Sequence, residues 1–589
     1  MAARSPLRGG KQDRASVRST VETWLFIAVA VIFGALFIYV AAARSTSWAH
    51  VQPAGQTHLH PLQPQARRAI RNLAPTGTFG TIYHGELSSQ FSALTDAPQL
   101  DALIATLKQM EGAGIGTVIY STTWEWAEPK EGNIRYRYLD MLMDAACKNT
   151  SLKVNFAVDL VTAPTWIWKR YPDAVSYDAD GRKYGRLSWF HKLGNAAAGE
   201  FLTHVTTHLA NGYQGCIVAV QPVYNNAYQT RFTQEYDAFQ DYSPYALLEY
   251  RNWLQRKGMP LELFNVRWGT SFRRWADVEP PKLHSGDFLG VDFSARYWDW
   301  LRFREELGSQ VYINACMAVA ATGLQCFHRF SEFFSVVDAI YGASMFKHIA
   351  ASPATSFLVM DTNFITPYGT HIKPSKLRLY VSAARSYGKP VHFEAAVERV
   401  LSYSLIGRSF QSALMGGAES VGVSHWMTRM SPNDSLVKAY NNAVPTCMAT
   451  ELVGVFIHLD SCSAFHGLQW GWARTDPLHG FIEDLAEDLT ARCETDVAVY
   501  VELGRFLADV NSFSRVVFVE PLLLYDTADF ASYMAAKAAL MHVPHEVLHL
   551  PANVTSGPQL VVLQDVLPRA SPASAAGLAS TSGLVTDTS

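Results

Sequence analysis

Cysteine is scarce and scattered. Cys147, Cys216, Cys316, Cys326, Cys447, Cys462 and Cys493 include no CxxC pair, so the sequence encodes neither a zinc ribbon nor a dense disulfide framework, and an odd count leaves at least one thiol unpaired. Positive charge is not in excess either. Lys+Arg 49 against Asp+Glu 52 gives a net charge of -3, which leaves no basic field to condense on phosphates and argues against nucleic acid as a partner. Charged residues make up only 17%, below the roughly 25% of an average soluble domain. No GxGxxG, nucleotide-sugar or metal motif is present, so no cofactor and no metal are expected. No repeat of fixed period is found, which argues against solenoids and propellers. What the chain has is apolar and aromatic: 49% hydrophobic and 12% aromatic residues over 589 positions. That composition excludes intrinsic disorder, and its aromatic surplus suggests a cleft.

One stretch lacks charge altogether. Residues 24–43 read WLFIAVAVIFGALFIYVAAA, about the length needed to cross a hydrocarbon core of roughly 30 Å. A cleaved signal peptide is the weaker alternative, because its apolar core runs only about 7–15 residues. Arg4, Arg8, Lys11, Arg14 and Arg18 precede the run and only Arg44 follows closely. The positive-inside rule then predicts a single-pass type II protein: a cytosolic tail over 1–23, a transmembrane signal anchor over 24–43, and the rest in a secretory lumen (Golgi or similar) or at the cell surface. In that setting the sequons at Asn149, Asn433 and Asn553 are usable glycan acceptors. Residues 44–77, rich in Pro, Gln, His and Ala, read as a stem, and 568–589 as a disordered small-residue tail.

Between them, β-rich runs alternate with helical periodicity. TFGTIY from Thr78, GTVIYSTTW, LKVNFAVDL and CIVAVQPVY are the first four strands, with helices between them. GKPVHFEA and SVGVSHWM flank a helix over 402–415 and serve as strands seven and eight. Strands five and six are placed near Leu324 and Asp338. The pattern predicts an α/β fold, a (β/α)8 barrel over 78–445. A linker and a small flavodoxin-like α/β domain follow over 446–567, built from DVAVYVE, SRVVFVEPL, a helix over 528–539, HEVLHLP and QLVVLQD.

In such a barrel the chemistry sits at the C-terminal strand ends. There the sequence places Trp124 to Gly132 after strand two, Thr162 to Trp166 after strand three, Asn225 to Tyr228 after strand four, and Glu394 at the end of strand seven. The segments WAEPKEGNIRYRYLD, VTAPTWIWKRYPDAVSYDADGR, WLQRKGMPLELFNVRWGTSF and GKPVHFEA, in this order, resemble the catalytic barrel of family 42 glycoside hydrolases, the β-galactosidase type of the retaining clan.

The resemblance implies two carboxylates, one attacking the anomeric carbon and one protonating the leaving oxygen. Glu394 matches the nucleophile. At the acid/base position the family has an Asn-Glu pair followed by an aromatic residue, whereas this chain has Asn226, Ala227 and Tyr228. A methyl group cannot donate a proton, and general acid–base catalysis is typically worth ~10²–10⁴ in rate. Glu235, Glu86 and Glu125 are candidate substitutes, with Glu235 the best of them. The resemblance also gives Asn226 and Tyr228 a place in sugar binding. Trp126, Trp166 and Trp426 are candidate pyranose platforms, and His84 and His425 candidate hydroxyl partners. The small C-terminal domain resembles the family's trimerisation domain, so a homo-oligomer is expected. The family's final β-sandwich has no room before the end of the chain. Three functions stay open: a β-galactoside hydrolase or transglycosidase with a relocated acid, a carbohydrate-binding pseudoenzyme, and a structural assembly subunit.

Overall fold

Apolar runs alternating with amphipathic segments give, in the computed structural model of the protein, eight parallel strands closed into a barrel. The structure describes residues 82–86, 97–232, 240–281, 295–331, 333–334, 342, 344–362, 373–395, 403–423, 450–468, 477–490, 495–521, 523–524, 527–550 and 561–562. Barrel strands one to eight are Ile82–Glu86, Thr117–Thr123, Lys153–Asp159, Ile217–Val223, Gln325–Phe330, Phe357–Thr362, Val391–Ala395 and Ser420–Val423, and strand one closes the ring against strand eight.

Strand three shows why these segments close as they do. Val154, Phe156 and Val158 pack outward into the large core shared with the helices. Ala157, between them, joins Ile119, Ala219, Phe327, Phe357 and Val359 in the cluster that fills the barrel. A period of two sends alternate side chains to the two sides, and both sides are apolar, so the run reads as almost continuously hydrophobic. The covering helices carry the complementary 3.6 period. In Tyr136–Cys147 the residues Leu139, Leu142, Met143 and Ala146 are all buried and form one stripe.

Strands two, three, four, seven and eight fall within the expected segments. Strand one overlaps its expected run at Ile82 and Tyr83 only. Strand six is a correction: it lies at Phe357–Thr362 rather than near Asp338, which is outside the described residues. FLVMDT is a short apolar run with no alternation to mark it, and length and flanks alone separate such a strand from buried helix.

Residues 244–281 form a helical insertion after strand four. Ser243 caps its first helix by accepting from Ala246 N, with Pro244 at the first helical position, where the missing N–H costs nothing. Tyr250, Trp253, Phe264 and Trp268 pack there against Trp298, Trp300 and Phe303 as a second aromatic core.

The C-terminal unit is a parallel four-stranded sheet ordered Thr495–Tyr500, Glu451–Phe456, Arg515–Glu520, His545–His549. Two expectations change here. Glu451–Phe456, which none of the expected strands includes, is a central strand. Its Gly454 carries the bare Cα that the Phe513 ring requires, since a Cβ would lie 2.2 Å from that ring. Of QLVVLQD, the described Val561–Val562 pairs with Leu523–Leu524 in a separate ribbon. The sheet docks on the barrel helix Lys376–Arg385, where Ser382 Oγ donates to Val497 O at 2.8 Å and accepts from Val499 N at 3.0 Å. Among the described residues, disulfides join Cys147 to Cys216 and Cys316 to Cys326, and Cys462 is buried outside either bridge. The expected membrane span over 24–43 lies outside the described residues, among which no helix is long and apolar enough to cross a membrane.

Candidate active site

Strand alternation determines which side chains reach the C-terminal mouth of the barrel. Two residues beyond the inward-facing Ala157, Phe327 and Val359 come Asp159, Arg329 and Asp361, each on the same face as its predecessor. Glu394 is in register with Asp361 on the neighbouring strand. The mouth is therefore ringed by charge above an apolar plug. Glu394 pairs with Arg329 at 3.1 Å, with side-chain exposures of 1% and 3%. This is a buried ion pair, each charge offsetting the other's loss of water.

The segment after strand four lies across this mouth. Asn225, fully buried, accepts from Ala227 N at 2.7 Å and donates to Phe232 O, which folds 225–232 into a tight strap. Tyr228 holds φ at 58°, a left-handed conformation costing a residue with a Cβ about 1–2 kcal/mol. Hydrogen bonds offset that cost. Gln221 Nε2 donates to Tyr228 O at 2.7 Å, and the phenol donates to Asp159 Oδ2 at 3.1 Å. Gln229 Nε2 donates to Asp361 Oδ2 at 2.7 Å, and Thr230 N to Arg329 O at 2.7 Å. Tyr312 donates its hydroxyl to Arg231 O at 3.0 Å. Beside the strap, Val161, Arg186, Trp189, Tyr224, Phe232 and Asp241 line a cavity of about 20 Å³, room for one water and far too little for a sugar ring.

Burial shifts the acids here. Asp159 is pushed up to about 6 by desolvation, against the opposing pull of the Val161 N–H, the Tyr228 hydroxyl and Arg186. Asp241, wholly enclosed, is also raised by burial even though it accepts from Ser188, Ser243 and the Tyr177 N–H.

The structure brings only some of the expected residues to this mouth. Glu394 and Tyr228 are there. Asn226 is exposed at the turn of the strap, and it is its neighbour Asn225 that is enclosed. Trp126 is half-buried, its ring 3.8 Å from that of Tyr138 and beneath the Arg135 guanidinium. Trp166 donates to Glu128 O at 3.1 Å and packs edge-on against Trp124. Glu125 is exposed. Glu235, His425 and Trp426 lie outside the described residues, as do the side chains of His84 and Glu86. Sequence reasoning missed Asp159, Arg329 and Asp361. The signal was present: VNFAVD, CFHRF and FLVMD each carry a charged residue at or next to the end of an apolar strand, where a purely structural strand would stay apolar.

Comparison with known proteins agrees with this geometry. Residues 99–389, just under half of the chain, match the model of the family 42 glycoside hydrolases, described as beta-galactosidase. It is 26% identical over 244 residues to a beta-galactosidase of Thermus thermophilus, a match covering 39% of this chain and 36% of that enzyme. It is 24% identical over 184 residues to beta-galactosidase BgaB of a Geobacillus strain, covering 30% and 26%. The matches thus span about a third of the length of these relatives or less. The crystal structure of the beta-galactosidase from the psychrophilic Marinomonas ef1 superposes with a TM-score of 0.60 at 13% identity, over 81% of this chain and 78% of that one; at that identity the likeness shows the fold.

These findings correct the expected location. The relatives are bacterial beta-galactosidases, and no helix among the described residues is long and apolar enough to cross a membrane. The single-pass type II topology rested on the hydropathy of one run outside the described residues. That topology, its secretory-lumen or cell-surface location and the glycoprotein assignment that depended on it are withdrawn.

Proposed function

We propose that the protein acts on or binds β-galactoside-type glycans at the C-terminal mouth of its barrel, with Glu394 as a retaining nucleophile and with hydrolysis impaired by the missing acid. The observation that carries this reading is Glu394, paired with Arg329 at the mouth of a family 42 barrel. The guanidinium favours the ionised carboxylate, the form that attacks an anomeric carbon. Attack expels the aglycone oxygen, and with Ala227 at the family's acid position that oxygen leaves unprotonated. Asn226, Tyr228, Trp126, Trp166, Trp426 and His425 are the candidate sugar contacts of this proposal, and Glu235 is the acid of the alternative in which hydrolysis is retained. Assembly of copies through the C-terminal unit belongs to the same proposal and is read by sedimentation.

A second reading, a carbohydrate-binding pseudoenzyme or an assembly subunit without activity, is favoured by the strap. There the Tyr228 phenol already holds the Asp159 oxygen that a sugar hydroxyl would otherwise meet.

Leaving-group chemistry separates the readings. A dinitrophenyl galactoside departs without a proton, so Glu394 should form a covalent glycosyl adduct that accumulates for want of a base, and azide should release it as glycosyl azide. Ala227→Glu should raise turnover of unactivated galactosides by ~10²–10⁴. Brisk hydrolysis by the unaltered protein that Glu235→Gln abolishes would make Glu235 the acid. Absence of an adduct, together with no gain from Ala227→Glu, would sink the catalytic reading.

A further inference from the structure

Behind strand five lies a cluster that the proposed sugar chemistry does not use. Cys326 and His328 stand two residues apart on that strand, so both face outward, toward the helix Ala295–Ala320. Cys316 reaches them from that helix. All three are fully buried, and one donor atom from each lies within 4.8 Å of the others. Among the described residues no other set of three Cys, His, Asp or Glu donors converges in this way.

The imidazole is held for ligation. His328 Nδ1 lies 3.4 Å from Thr230 Oγ1, and the Tyr312 ring packs edge-on against the ring of His328. With Nδ1–H donating to Thr230, Nε2 carries a lone pair and points it at Cys316 Sγ, 3.0 Å away. In the disulfide that sulfur has no hydrogen to give, so the lone pair of a fully buried nitrogen faces an atom that cannot donate to it. A histidine whose far nitrogen is fixed by an outer partner is the arrangement that metal sites use. The second disulfide differs: Cys216 Sγ faces Leu152 O at 3.7 Å rather than an imidazole.

We propose that, once the Cys316–Cys326 disulfide is reduced, these two cysteines and His328 bind one soft d¹⁰ cation, Zn²⁺ or Cu⁺. The step balances: a dithiol gives two electrons and two protons to the disulfide and becomes a cyclic disulfide itself. The cation then displaces the two thiol protons and accepts two sulfur donors and Nε2. Two thiolates and an imidazole suit either ion, Zn²⁺ taking a small fourth ligand and Cu⁺ accepting three. No sequence motif marks the cluster, because Cys316 and Cys326 are 10 positions apart with a turn between them, and metal motifs are recognised by close spacing.

The test uses the full chain, reduced with a dithiol, freed of reductant without oxygen, and titrated with Co²⁺, whose thiolate complexes absorb in the near ultraviolet. One equivalent should bind with that absorption and be displaced by Zn²⁺ or by Cu⁺, the tighter competitor identifying the preferred ion. Cys326→Ser should abolish the band, and Thr230→Val should weaken binding by about 10–100-fold, as loss of an outer-sphere partner does. If thermal unfolding shows that Cys326→Ser does not fold, His328→Gln, which keeps both thiols, must weaken binding instead. The proposal is overturned if alkylation mapping finds this disulfide intact in the folded, dithiol-treated protein. It is equally overturned if the reduced protein takes up no Co²⁺, or if the folded variants bind as the unaltered chain does.

Discussion

Replacing Arg329 by Met removes the cation from a carboxylate that is 1% exposed while keeping most of the side-chain volume. The Glu394 carboxylate would then be buried without its counter-ion, and a charge so placed takes up a proton instead. Proton uptake bounds the cost. A glutamate that ionises near 4.3 in an unfolded chain is about 2.7 pH units from neutrality at pH 7, which is about 3.7 kcal/mol. Breaking a buried pair typically costs about 3–5 kcal/mol, so the two figures agree.

The sign follows from proton counting. In the variant, ionisation is raised in the folded state, so above about pH 4.3 the native form holds a proton that the unfolded form has lost, and stability falls by about 1.36 kcal/mol per pH unit. Below about pH 4.3 both forms hold the proton and the penalty vanishes. The assay is urea unfolding of both proteins at pH 5, 6 and 7. All other titratable groups are shared, so the difference between the two proteins isolates Glu394 to first order. The gap should widen from about 1 kcal/mol at pH 5 to about 3.7 kcal/mol at pH 7. A gap independent of pH would mean that Arg329 serves packing alone and that Glu394 is not held as a carboxylate by it.

Two further perturbations test other parts of the fold. Asp159, pushed up to about 6 by burial, destabilises the folded state as pH rises from about 3.8 to 6, and the penalty is constant above that. Asp159→Asn, whose Oδ1 can still accept from Val161 N while its Nδ2 donates to the Tyr228 hydroxyl, should therefore raise stability at pH 7 by up to about 3 kcal/mol and flatten the pH 4–6 slope; an unchanged slope in urea unfolding refutes this. At the junction with the C-terminal unit, Asp460 pairs with Arg302 at 3.1 Å and with Lys347. Asp460→Asn should cost about 3 kcal/mol, the low end for a broken buried pair, because the neighbouring Glu305, raised to about 7 by burial, can ionise in its place. A loss below about 1 kcal/mol in chemical denaturation would show that the cluster is not coupled in this way.

Local sequence was enough to specify the barrel. Strands such as LKVNFAVDL and CIVAVQPVY are apolar on both faces and alternate with helical stripes, and few architectures bury both faces of a parallel strand. It was also enough to show that Glu394 ends strand seven and that Ala227 stands where the resemblance expects an acid, since these are statements about chain position. Strand six and the strand at Glu451–Phe456 escaped because short apolar runs carry no period, and nothing local to Gly454 signals the Phe513 ring that packs against it. Which groups meet was settled when the chain folded. Arg329 is 65 residues from Glu394, and Tyr228 reaches Asp159 across 69 positions. Cys316 and His328 meet because a helix doubles back on the strand that follows it. Period and composition report which face of an element is buried, but a contact between elements depends on ring closure and register, which no local stretch of sequence contains.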